Sequence, residues 1–84
     1  RDPKSGRIME SHTTQPGVQF YTGNFLPADG IECSGGRKFI PHGAFCLETQ
    51  HFANAPNIPA FPTTVLKPGQ IFYQVTSFKF STTK

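Results

Sequence analysis

Residues 45–50 read Phe-Cys-Leu-Glu-Thr-Gln, an apolar approach that presents one carboxylate, Glu48, in a stretch almost empty of acidic side chains. Strand alternation puts Glu48 on the face of Cys46 and opposite Leu47. If that face is buried, desolvation raises the carboxyl pKa and makes the group a better general base near neutral pH. If it faces water on an edge strand, Glu48 is an ordinary surface carboxylate, the commoner arrangement because buried glutamate is rare. Upstream, Gln19 sits in Gln15-Pro16-Gly17-Val18-Gln19-Phe20-Tyr21-Thr22-Gly23-Asn24-Phe25. Its amide offers both a donor and an acceptor, though spacing alone leaves it an unexceptional polar position on a strand. His12, His42 and His51 have no zinc-site spacing with a third ligand, so no metal site is expected.

The elements that must hold these residues are strands. Eight Gly and eight Pro interrupt the chain so often that no window of helical length keeps apolar residues at i, i+3, i+4 and i+7. Residues 7–14 are β-compatible and run into Pro16-Gly17, a pair suited to a turn in which proline pre-sets one dihedral and glycine accepts a positive one. Residues 18–22 then read as the return strand of a hairpin. Residues 23–43 form a long irregular connection, expected as a rim or lid near a site. Residues 44–49 read as a short buried strand, 50–64 as a proline-rich loop, and Lys67-Pro68-Gly69 as a turn. Residues 70–80 read as the longest strand, with Phe72, Phe78 and Phe80 on one face and Ile71, Tyr73 and Val75 on the other. Apolar residues on both faces require cover from two sides, and a few short strands of this size cannot supply it.

Bulk properties narrow the classes further. Eighty-four residues allow one small domain at most, marginal in stability by itself. The formal net charge is +3, yet Arg1, Lys4, Arg7, Arg37, Lys38, Lys67, Lys79 and Lys84 are scattered rather than striped, which argues against nucleic acid as a partner. No apolar stretch is long enough to cross a bilayer as a helix, so no membrane partner is expected. Two cysteines, Cys33 in a Gly-rich loop and Cys46 in a strand, are too few for a disulfide scaffold. With no secretion-signal pattern at the start, a reducing cytoplasm is the expected location.

The ungapped motif Leu47-Glu48-Thr49-Gln50 has Phe45-Cys46 ahead of it, and the 15–25 segment lies upstream. Asn57, Phe61-Pro62 and Leu66-Lys67-Pro68-Gly69 follow it. Together these closely resemble the C-terminal part of the aldose 1-epimerase family, over about residues 5–80. The resemblance implies an all-β fold in which the chain supplies the C-terminal strands of a large twisted β-sandwich of the galactose mutarotase-like supersandwich type. It implies that residues 1–84 are the C-terminal part of a single domain whose upstream portion is their structural partner. It also implies an isomerase that interconverts α and β anomers of hexoses such as galactose and glucose, with no metal or organic cofactor. In that family the glutamate of this motif is the catalytic base, which falls on Glu48. The glutamine that hydrogen-bonds a sugar hydroxyl falls on Gln19, and Phe20, Tyr21 and Phe25 could stack on a sugar ring or fill a core.

The family's acid histidine lies far upstream of this motif and matches none of His12, His42 and His51; His51 reads as a rim residue. The segment alone is therefore expected to be inactive. Two loops depart from the family pattern, Cys33-Ser34-Gly35-Gly36 where many relatives carry a lysine among glycines, and Ala53-Asn54 in place of Pro-Asp. They bear on loop contacts and substrate preference. The alternative is a catalytically silent relative that keeps the sandwich as a sugar-binding or regulatory module. A third reading, a small β-domain that binds a protein, treats the resemblance as accidental.

Overall fold

Four of the six strands among the described residues find their partners far away in sequence. The structure, a computed structural model, describes residues 1–83. It contains β1 (Arg7–Thr13), β2 (Gly17–Tyr21), β3 (Ile31–Cys33), β4 (Arg37–Phe39), β5 (Cys46–Gln50) and β6 (Thr76–Thr82). Single 3-10 turns occupy Ser34–Gly36 and Ala55–Asn57, and no α-helix occurs among the described residues. The all-β expectation holds. Three antiparallel ladders form, β1 with β6, β2 with β5 and β3 with β4, nested in the sequence like concentric brackets.

That nesting overturns the expected hairpin of residues 7–14 with 18–22. β1 pairs with β6, from Arg7 opposite Thr82 to Thr13 opposite Thr76, while β2 pairs with β5. Pro16-Gly17 does redirect the chain, but from one ladder into another. Gly17 is absent from the positive-φ glycines, so its backbone is not that of a turn needing glycine's freedom. Its missing side chain serves space instead, since a Cβ there would stand 3.0 Å from Cδ1 of Phe52.

Three further expectations are corrected. The 23–43 connection is not wholly irregular, because Ile31–Cys33 and Arg37–Phe39 form a small hairpin around Ser34–Gly36. The strand expected at 44–49 runs from Cys46 to Gln50, and its alternating residues Cys46, Glu48 and Gln50 are exposed rather than buried. The strand expected at 70–80 starts only at Thr76 and, at seven residues, equals β1 in length. The physical reason is partnering: the ladder begins where Thr13 offers Thr76 a mate, and Ile71 to Val75 lie ahead of it with Ile71 90% exposed and Tyr73 79% exposed.

Little of the apolar content is covered. Ala55, at 6% exposure, is the one buried hydrophobic residue of the core among the described residues, and Phe25, Phe45, Leu66 and Phe80 are all exposed. The radius of gyration is 17.4 Å, against about 12 Å for a compact chain of this length. Local ties nevertheless fix how β5 is entered. Gly23 is buried with φ of 72°, and its carbonyl accepts N–H bonds from Leu26 (3.4 Å) and His42 (3.3 Å). His42, itself left-handed at φ 57°, places Nδ1 3.1 Å from the Thr22 carbonyl. The end of β2 and the approach to β5 are thereby pinned together, which holds the β2–β5 ladder in register.

Candidate functional site

Antiparallel pairing sets directly opposed residues on one face, with Cβ atoms about 4.5–5.5 Å apart. In the β2–β5 ladder Gln19 is directly opposite Glu48. The two residues singled out from sequence, 29 positions apart by their numbers, are thus cross-strand neighbours. Tyr21 opposite Cys46 and Gly17 opposite Gln50 complete the same face, while Val18 opposite Thr49 and Phe20 opposite Leu47 form the other. One side of the ribbon is therefore polar and the other mainly apolar, as expected for a sheet packed on one side and solvated on the other.

Both side chains of the central pair are exposed and largely uncommitted. Among the described residues the Gln19 amide makes a single long bond, 3.5 Å to the Phe20 carbonyl. Among the described residues no ion pair or hydrogen bond engages the Glu48 carboxylate; the ion pair that forms, Lys79 to Glu10 at 3.3 Å, lies on the β1–β6 ladder. An exposed carboxylate with free lone pairs can accept a proton from a ligand hydroxyl, and an amide beside it can both donate to and accept from a neighbouring hydroxyl.

The flanks of this face are aromatic. At one end the Phe52 ring lies against Gly17 and packs on Phe61 with centroids 4.9 Å apart. At the other, the Tyr21 hydroxyl accepts the Phe25 N–H at 3.2 Å. Phe20 meets Phe45 edge-on at 5.9 Å on the opposite, apolar side, which makes Phe20 a packing residue within this chain. Sequence reasoning did not single out Gln50 as a member of the polar face, though counting in twos from Glu48 reaches it; Tyr21, weighed there as a ring that could stack on a sugar, lies on the same face.

Each histidine lies elsewhere. His12 is in β1 opposite Ser77, His42 ties β2 to the approach to β5, and half-buried His51 lines an open groove of about 570 Å³ beside Gln15, Ile71 and Tyr73. That groove does not include Gln19 or Glu48. Among the described residues no group of three or more His, Cys, Asp and Glu side chains gathers as a metal site. Cys33 and Cys46 are both free thiols. Among the described residues no helix is long and apolar enough to cross a membrane.

Comparison with known proteins agrees with the residue pattern. Residues 1–79 match the family model described as aldose 1-epimerase. Galactose mutarotase of Rattus norvegicus is 54% identical over 78 residues, which cover 92% of this chain and 22% of that protein. Galactose mutarotase of Homo sapiens is 53% identical over the same shares of the two chains. Aldose 1-epimerase of Escherichia coli (strain K12) is 31% identical over 74 residues, 86% of this chain and 21% of that protein. The chain therefore spans about a fifth of the length of the relatives that it matches.

Proposed function

Because this chain belongs to the aldose 1-epimerase family, we propose that the protein carrying it interconverts the α and β anomers of a hexose such as galactose or glucose, with Glu48 as the base and Gln19 as a sugar ligand. The observation that carries this reading is the direct opposition of Gln19 and Glu48 on an exposed polar face. Glu48 takes the proton of the anomeric hydroxyl as the ring C–O bond breaks and the ring oxygen is protonated by an acid group, which in this family is a histidine outside these residues. The open-chain aldehyde rotates about the bond next to its carbonyl. Reclosure on the other face, with the two proton transfers reversed, returns the opposite anomer. A base and an acid held in opposed protonation states are what such a cycle requires.

The uncovered apolar surface supports the companion proposal that residues 1–84 are the C-terminal part of a larger β-sandwich domain. Its upstream strands would cover Ile71, Tyr73 and Phe80, which lie exposed here. Two free thiols support a reducing, cytoplasmic setting.

The test is Glu48→Gln in the full-length protein, followed by polarimetry on freshly dissolved α-galactose. General-base catalysis contributes about 10²–10⁴-fold, so the rate should fall by at least about 100-fold. Glu48 is exposed and makes no ion pair among the described residues, so stability should stay within about 0.5 kcal/mol of wild type. A variant within a few-fold of the wild-type rate would sink the assignment. Sugar binding by a wild type that shows no mutarotation would favour the silent binding module.

A further inference from the structure

On the side of β5 facing away from Glu48, three hydroxyls from three strands form a line. Thr49 Oγ1 of β5 lies 2.7 Å from Thr76 Oγ1 of β6, and Thr76 Oγ1 lies 3.1 Å from Thr13 Oγ1 of β1. Thr13 Oγ1 in turn lies 3.3 Å from the Val75 carbonyl and receives the Gln15 N–H at 3.1 Å. All three threonines are half-buried. A carbonyl can only accept and an amide N–H can only donate, so one arrangement satisfies every contact. Thr49 donates to Thr76, Thr76 donates to Thr13, and Thr13 donates to Val75. Chains of this kind, with every proton pointing one way, polarise and strengthen one another.

We propose that this directed hydroxyl chain is the positioning device for Glu48, with Thr49 as its terminal positioning residue; the inference rests on the reading of Glu48 as the base. β5 is held along its length by a two-stranded ladder with β2, and such ribbons are marginal and free to twist. Thr49 is the residue next to Glu48 and points to the opposite face. Clamping its Oγ1 to the β1–β6 ladder therefore fixes the rotation of β5 about its own axis, and with it the aim of the Glu48 carboxylate. Misplacing a reacting group by about 1 Å can cost about 100-fold in rate, so even a fraction of that displacement is measurable.

The experiment uses the full-length protein with Thr49→Val, Thr49→Ser and Thr76→Val, the double variant Thr49→Val/Thr76→Val, and Glu48→Gln as reference. Valine keeps the shape and removes the hydroxyl; serine keeps the hydroxyl. In polarimetric turnover, Thr49→Val and Thr76→Val should each lower kcat by roughly ten-fold while leaving KM within about two-fold. Thr49→Ser should recover to within about three-fold of wild type. The double variant should be no worse than about two-fold below the weaker single, because both substitutions break the same link. If Thr49→Val does not fold, Thr76→Val, which removes the partner of the Thr49 hydroxyl, carries the test in its place.

Thr49→Val with wild-type kcat beside an inactive Glu48→Gln overturns the positioning role and leaves the base standing. A rise in KM alone, or Thr49→Ser as poor as Thr49→Val, overturns it as well. An active Glu48→Gln overturns the base assignment and the positioning claim together.

Discussion

Gly17→Ala sets two effects of opposite sign against each other, and the structure decides between them. The backbone at Gly17 is not in the left-handed region, so alanine fits its dihedrals and should gain about 0.5 kcal/mol by restricting the unfolded chain. The added methyl, however, would lie 3.0 Å from Cδ1 and 3.2 Å from Cε1 of Phe52, and 3.4 Å from the Gln50 carbonyl oxygen. Ordinary carbon contacts are about 3.5–4.0 Å, so the ring must give way. Overpacking typically costs about 1–3 kcal/mol. Phe52 is 39% exposed and can tilt outward, though at the expense of its contact with Phe61, which puts the cost near the lower end. The net effect is then a destabilisation of about 0.5 kcal/mol, the backbone gain being about half the overpacking cost. With the ring removed by Phe52→Ala, only the backbone gain remains, and Gly17→Ala should become stabilising by about 0.5 kcal/mol. Urea midpoints of the four proteins in this double-mutant cycle, measured on the full-length chain, read the sign change directly. A stabilising Gly17→Ala in the wild-type background would refute the packing argument, as would a penalty that survives removal of Phe52.

Gln19→Ala should weaken apparent hexose affinity by about 1 kcal/mol, the net worth of a neutral hydrogen bond, with a smaller effect on kcat. Steady-state polarimetry checks this, and unchanged affinity makes Gln19 a strand residue only. Residues 1–84 produced alone should be inactive and melt broadly, with a scattering radius of gyration well above the roughly 12 Å of a compact chain this long. A sharp, monomeric two-state melt would instead favour a self-sufficient small domain.

The sequence made some of this legible and hid the rest for physical reasons. Breaker density excluded helices, and β-branched and aromatic runs located β1, β2, β5 and the later half of the 70–80 segment. The carboxylate of Glu48 and the amide of Gln19 were visible as residue types, but their juxtaposition was not. Register between β2 and β5 is a choice among distant partners, and local turn chemistry at Pro16-Gly17 pointed to the wrong one. The β3–β4 hairpin escaped notice because three-residue strands carry too little periodicity to read. Expecting residues 44–49 to be buried assumed cover that this chain does not itself provide. The Thr49–Thr76–Thr13 line could not be anticipated at all, since it depends on two ladders meeting.

The bracket-like nesting of the ladders also dictates an order of assembly. Cys33 Sγ reaches the Arg37 carbonyl across four residues, His42 reaches Thr22 across 20, and Thr13 reaches Thr76 across 63. Closing a loop becomes harder as it lengthens, so the innermost hairpin forms most readily and each closed bracket shortens the effective loop for the next. Zippering outward brings Gln19 to Glu48 before β6 has arrived to clasp Thr49. During synthesis Thr76 follows Thr13 by 63 positions, which take roughly 3–13 s to emerge. For that interval β1 is a finished strand without its mate, an open edge that other chains can capture. The outermost bracket, which contributes least to the polar face, is therefore the step at which this segment is most exposed to misassembly.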